Sequence, residues 1–332
     1  MRIRPCQSPG RRDAIPRVAL HLSLVFAAAF PATVRQAPAQ SGFAFRQAPG
    51  KIEILLENKP FSNFYYGPEW TWPFLHPLRT ATGLAITRGF PVEKVEGESQ
   101  DHKGHRGLWF GNADIEGVDF WRDKGPDVTG RMVSKSPPKI GRETLAGSFR
   151  LVTPQEKTLG SIELAFRFRG SGANNIVDAR ITIRADQGRP LRMGDGGEGT
   201  FGLRLDDAFR EDRGAVLTNS DGLVGSAKIW GKRAKWVDYS TSVKGQAVGV
   251  TVFDHPGNPK YPTYWHARDY GLCATNPFFS ERGLPKDQTR DGSITIPAGG
   301  ALVFRYRVVI HPGGVDSIDV QRISADFAGE NL

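Results

Sequence analysis

Sulfur is scarce in this sequence: only two cysteines and three methionines occur among 332 residues. Cys6 lies in the first 39 residues and Cys273 far along the chain. If the first segment is removed by processing, no internal disulfide remains, and the fold must be held by its core. Long apolar runs are missing as well. The longest, residues 18–30, is 13 residues, short of the roughly 20 that span a bilayer. Strands alternating with helices are not seen, which argues against a Rossmann-type sheet. The glycine string at residues 194–199 lacks the Lys-Ser/Thr ending of a phosphate loop, and no helix follows it. There is no fixed-period repeat and no low-complexity linker.

Acidic residues are outnumbered, 35 against 44 Lys plus Arg, a net charge of +9 that first suggests an anionic partner. The excess is unevenly placed. Residues 1–39 hold six arginines (Arg2, Arg4, Arg11, Arg12, Arg17 and Arg35) and one acid, Asp13, a local +5 that leaves +4 for the other 293 residues. A basic start, an apolar run and the small residues Ala37-Pro38-Ala39 form the layout of a secretory signal. The expectation is a signal peptide over residues 1–39 and a single domain over 40–332, exported to the periplasm or outside the cell. No membrane span is expected after processing, and nucleic acid is not expected as a partner.

Abundant glycine (39) and proline (23) favour short strands joined by turns. Residues 162–168 alternate strictly, with Ile162, Leu164, Phe166 and Phe168 on one face. The same period recurs at 177–184, 248–252 and 302–308. Further strands are expected at 51–57, 84–88, 107–111, 148–152, 200–205 and 235–239. Helical periodicity is confined to 317–328. The fold class is therefore all-β: a large antiparallel β-sandwich, of the supersandwich kind, with a short C-terminal helix.

Three polar clusters could carry chemistry. Residues 98–107 contain His102 and His105, which the glycines at 104 and 107 could turn to one side. Residues 253–277 contain Asp254, His255, Trp265, His266, Asp269, Tyr270 and Asn276. Glu198 sits between two glycines. Histidine and carboxylate together suit acid and base roles in sugar ring opening or enolisation. The candidate catalytic residues are His102, His105, Glu198, Asp254 and His266. Aromatic rings beside polar groups suit sugar faces, and the candidate binding residues are His76, Arg106, Trp109, Arg233, Trp265, Asp269, Tyr270 and Asn276. No cofactor is expected; the alternative is a divalent metal held by His102, His105, His255 and His266 if the two loops converge. Cys273 reads as a buried small residue.

Residues 74–78, 101–111 with 119–121, 194–202, 218–222, 230–239 and 253–278 together resemble one family, secreted bacterial proteins labelled PmoA-family or methane-oxygenase-like and otherwise a domain of unknown function. The resemblance covers about residues 51–312. Many members carry His-His-Arg-Gly in the first motif; here Gly104 holds the first of those positions and His102 lies two residues earlier. The label implies an oxygenase, but the oxygenase subunit of that name is a multi-helix membrane protein, and a chain starting at Gln40 has no N-terminal histidine for copper. In architecture the chain is similar to aldose-epimerase-type carbohydrate folds. The expected function is an exported carbohydrate-active protein performing acid/base chemistry on a sugar, as an epimerase, mutarotase or lyase does. The alternatives are a metal-dependent enzyme or oxygenase, as the label states, and a non-catalytic sugar-binding module.

Overall fold

A computed structural model describes residues 42–280 and 291–330; the expected signal segment lies outside them. The first strands are β1 (Phe43–Ala48), β2 (Lys51–Leu56), β3 (Lys59–Tyr65), β4 (Phe74–Leu75) and β5 (Leu108–Phe110). Next come β6 (Arg131–Ser134), β7 (Lys139–Ile140), β8 (Thr144–Val152), β9 (Thr158–Ser171), β10 (Asn174–Arg184), β11 (Leu191–Met193) and β12 (Phe201–Arg204). After β13 (Val216–Asn219) and the single turn α1 (Ser226–Ile229) follow β14 (Trp236–Val243), β15 (Gln246–Asp254), β16 (Tyr264–Arg268) and β17 (Leu272–Asn276). The chain closes with β18 (Ile294–Ile296), β19 (Ala301–Pro312) and α2 (Val320–Ala328).

Seventeen of these strands form two large antiparallel sheets, and β11 pairs with β18 in a separate small one. One has eight strands in the order β1-β2-β3-β4-β5-β12-β17-β16. The other has nine, in the order β13-β14-β15-β19-β10-β9-β8-β6 with β7 beside β8. The alternating residues meet in rows across the second sheet: Phe168, Val177, Val308, Val252 and Val237 lie opposite one another on five successive strands. All five are buried. Directly opposed residues share a face, so each row enters the core as a unit. Aromatic contacts join the sheets, including Phe64 with Phe149 and Phe166, and Phe201 stacked on Tyr306 at 4.5 Å. The β-sandwich read from the alternation is what forms.

Two elements differ from expectation. Residues 84–88 form isolated bridges, Arg79 to Ala85 and Thr87 to Leu205, and no strand. Their polar groups serve loops instead: Thr87 Oγ1 accepts from Leu78 N, and Arg88 reaches the carbonyls of His102 and His105. The C-terminal helix starts three residues later than the pattern suggests. Asp319 caps it by accepting from Arg322 N at 2.9 Å, while residues 315–317 form a separate 3-10 turn. Phe327 of this helix packs with Trp236, Phe253 and Val309 outside the nine-stranded sheet.

Candidate active site

The strand register fixes which side chains leave the core together. Across the eight-stranded sheet Ala267, Cys273, Leu203, Leu108 and Leu75 are opposed in one row, and all are buried. Cys273 is thus a small core residue, and burial pushes its thiol well up. One residue along, His266, Ala274, Gly202, Trp109 and Phe74 form a second row on the opposite face. The small residues in this row have a purpose. A Cβ on Gly202 would stand 2.6 Å from the Trp109 ring, so glycine lets the indole lie across β12.

Loop 98–107 lies on that face and delivers a column of rings. Tyr270 stacks on His102 at 5.1 Å, His102 on His105 at 4.7 Å, and His105 on Trp109 at 5.2 Å. Trp121 closes the buried end, 5.4 Å from His105. Asp101 fastens the loop: its carboxylate accepts from Arg88, from Arg204 at 2.9 Å and from His102 Nδ1 at 2.6 Å. Burial alone would raise the Asp101 carboxyl, but Arg204, His102 and Arg88 outweigh it and hold the group below its usual range. His102 takes a left-handed backbone, φ +44°, a conformation that needs such external support. Gly107 also has positive φ (+49°), and a Cβ there would lie 2.0 Å from Leu75 O.

Loop 194–199 supplies the carboxylate. Asn276 Nδ2 donates to Gly196 O at 2.8 Å, and His266 Nδ1 lies 2.8 Å from Gly197 O. Gly199 passes where a Cβ would meet Ala274 at 2.3 Å. Glu198 then projects over the sheet. Its Oε1 accepts from Arg122 at 3.0 Å, Arg122 being held by Asp119, and its Oε2 stands 3.9 Å from His266 Nε2. The Gly197 contact requires the His266 proton on Nδ1, which leaves the Nε2 lone pair facing Glu198. In that tautomer Trp230 Nε1, 3.3 Å from Nδ1, is a packing neighbour rather than a hydrogen-bond donor.

Burial keeps both inner histidines neutral. His105 is held well below the usual imidazole range by burial, reinforced by its neighbours His102, Arg204 and Arg88. His266 is lowered by burial, partly opposed by Glu198. Burial also lifts Tyr270 to about 12 although Arg204 and Arg268 lie against its ring. A base pair, Glu198 and neutral His266, thus faces a gap too long for a direct hydrogen bond and wide enough for a bridging hydroxyl. His102 lies between Tyr270 and His105 in the ring column, its side chain about half exposed.

Of the candidate residues, His102, His105, Trp109, Glu198, His266 and Tyr270 come together, with Asn276 supporting the glycine loop. The others have different work. Asp254 is buried in a corner, accepting from Asn258 Nδ2 at 2.7 Å and Thr263 N at 2.8 Å, so it opposes no site histidine. His255 packs edge-on against Phe327, at 4.9 Å, on the α2 side of the molecule. It cannot complete a metal set with His102, His105 and His266. Stacking turns the His102 and His105 rings nearly parallel, 12° apart, so their lone pairs do not converge. Among the described residues no three His, Cys, Asp or Glu side chains are grouped to hold a metal ion.

His76 is fully buried, with Nδ1 3.1 Å from Thr87 Oγ1, and burial lowers it to about 4. Arg106 is buried against Trp70, Trp72 and Phe74 and pairs with Asp123 at 3.2 Å. Trp265 belongs to the inter-sheet core and donates to Ala234 O at 2.8 Å. Arg233 lies over Tyr264 and reaches the Pro262 carbonyl. Asp269 is exposed at the turn beyond β16. These four binding candidates and Asp269 lie outside the ring column.

Asp101, Arg88, Arg204, Arg122 and Trp121 were not among the candidates. Asp101 had a signal, being next to His102 in a dense polar run. Arg204 had a weaker one: an arginine between Leu203 and Leu205 in a strand marks the face turned from the core. Arg88 and Arg122 act across gaps of 13 and 76 residues, which no local pattern reveals.

Several solved structures are similar to this chain over most of its length, at low identity. The GalM/aldose epimerase homologue from C. elegans is 11% identical, with 82% of this chain and 99% of that chain covered at a TM-score of 0.34. A galactose mutarotase-like protein from Clostridium acetobutylicum is 7% identical over 81% and 94% of the two chains, with a TM-score of 0.37. A further one, from Lactobacillus casei ATCC 334, is 11% identical over 81% and 100%, with a TM-score of 0.35. No curated protein matches the sequence. The family model that matches assigns no activity, and nothing supports the PmoA or methane-oxygenase reading. That model matches residues 51–325 and is described as a family of unknown function, so the chain belongs to the DUF6807 family.

Proposed function

We propose that this protein performs acid/base chemistry on a small carbohydrate. The observation that carries the reading is the Glu198 and His266 pair: a carboxylate oxygen and an imidazole nitrogen 3.9 Å apart, beside a column of aromatic rings on the outward face of a sheet. A sugar hydroxyl entering that gap meets two acceptors. Arg122 holds the far oxygen of Glu198, so Oε2 is the atom that takes the proton. His102 faces the ligand with Nε2, because Nδ1 is committed to Asp101.

A ring-opening cycle fits these roles. Glu198 removes the proton of the anomeric hydroxyl, the bond between C1 and the ring oxygen breaks, and His102, carrying a proton on Nε2 as well as the one it shares with Asp101, passes the Nε2 proton to that oxygen. The aldehyde turns and the steps reverse, so no proton is gained or lost overall. Tyr270 and Trp230 offer apolar surface to the sugar ring. The proposal needs no resident metal ion. Export rests on residues 1–39 and predicts a mature chain beginning at Gln40, which N-terminal sequencing of the secreted protein checks. No helix among the described residues is long and apolar enough to cross a membrane.

The test is NMR of anomer exchange and epimerisation over a panel of aldoses, comparing the protein with Glu198→Gln and His266→Ala. Turnover should fall by about 10²- to 10⁴-fold in Glu198→Gln, the usual worth of one general base. Equal rates in all three proteins would remove the assignment. Binding without turnover in the unsubstituted protein would identify a sugar-binding module.

A further inference from the structure

A cavity of about 250 Å³ lies at the edge of the eight-stranded sheet, bounded by Ser226, Ala227, Trp230, Ala267, Arg268 and Asp269. Two of its walls are shared with the candidate site. Trp230 brings its indole nitrogen to 3.3 Å from His266 Nδ1 and also faces the cavity. Arg268, also in its wall, places its guanidinium 5.7 Å from the centre of the Tyr270 ring, the outer ring of the column. The register explains this adjacency: Arg268 is two residues beyond His266 on β16 and so emerges on the same face.

The chemistry of the lining is that of a sugar subsite. Trp230 is half-buried and offers a flat apolar surface, and it is braced edge-on by Phe279 at 6.0 Å. Arg268 supplies donors and Asp269 acceptors, a balanced set that suits hydroxyls rather than a net charge. Whole-ligand sites occupy about 300–1,000 Å³, so a cavity of this size has room for one ring. We propose that it receives the second ring of a disaccharide or longer glycan whose reacting ring lies between Glu198 and His266. The inference rests on the sugar reading above and deepens it, by making the ligand class a glycan of at least two rings. Trp230 is the partition between the two positions.

Titration calorimetry and saturation-transfer NMR with glucose, galactose, maltose, cellobiose and lactose, all with a free anomeric hydroxyl, test it on the full mature chain. At least one disaccharide should bind about three- to tenfold more tightly than the free monosaccharide of its reducing end. Ala227→Trp fills the cavity from exposed α1 and should remove that margin while leaving monosaccharide affinity unchanged. Ala227→Gln narrows it and serves if the larger side chain disturbs folding. Equal affinities for mono- and disaccharides, or a margin that survives both variants, would overturn the second position and leave the sugar site standing. Failure of every sugar to bind would remove both.

Discussion

Two histidine and carboxylate pairs in this molecule have opposite characters. Glu198 and His266 are separated by 3.9 Å, with 28% and 10% of their side-chain surfaces exposed. Asp238 and His311 are bonded at 3.0 Å, with 1% and 0% exposed. Thr251 donates to the same Asp238 oxygen at 2.8 Å, and Gly249 leaves room for the imidazole, since a Cβ there would lie 2.0 Å from it. Ser317 Oγ approaches His311 Nδ1 at 3.4 Å, yet its hydroxyl is already directed at the carbonyls of Pro312 and Gly314. That arrangement resembles a nucleophilic triad in composition alone. The closed pair has its hydrogen bonds made and no approach for a ligand; the open pair has an unfilled gap and solvent beside it. Residue types alone therefore do not mark a site. Reach and an incomplete set of partners do.

The contrast is broken most directly by exchanging readouts. Glu198→Gln should cost the activity factor given above while shifting stability by no more than about 0.5 kcal/mol, the usual range for a surface change. Asp238→Ala should do the reverse. Removing one member of a buried pair costs about 3–5 kcal/mol, and a thermal or denaturant melt should show it, with activity of the surviving folded fraction unchanged. Loss of activity at full stability in Asp238→Ala would mean that the buried pair is functional.

A smaller effect sharpens the comparison through Asp254, a buried carboxyl with no histidine partner. Burial raises it to about 7 against the hydrogen bonds from Asn258 and Thr263. A folded value above the unfolded one means that the folded chain holds its proton more tightly, so stability from this group is lost as pH rises from about 4 through 7. His76, lowered by burial to about 4, acts oppositely: its contribution is lost as pH falls from about 6.5 towards 4. Asp254→Asn should destabilise by about 1–3 kcal/mol, because an amide nitrogen must then face a donor, and should flatten the decline between pH 4 and 7. An unchanged pH profile of melting in this variant would contradict the assignment. The smallest expected effect is that of chelation: EDTA treatment should leave sugar turnover within about twofold, and loss restored by a divalent ion would return a metal to the mechanism.

Much of the sandwich was legible because strand alternation is a local property. Ile162, Leu164, Phe166 and Phe168 all point inward as their period requires. The site was half legible. His102, Glu198 and His266 stood in polar or glycine-rich runs that a core would not tolerate. His255 and Asp254 stood in an equally suggestive run, but β15 ends there and its last residues turn to a different corner from β16. Twelve residues separate Asp254 from His266, and sequence proximity says nothing about which sheet each joins.

Composition and periodicity by themselves determined that this chain is a disulfide-poor, all-β protein with its apolar rows on alternate residues, since period and side-chain type act within a few residues. Only the tertiary structure decided which polar residues meet. The pairing of β16, β17, β12 and β5 puts His266 and Trp109 in one row, Arg204 and Arg88 draw Asp101 down onto it, and the glycine loop sets Glu198 opposite. Those contacts join positions far apart in the chain, and their energies depend on burial and register, quantities that exist only once the sheets have formed.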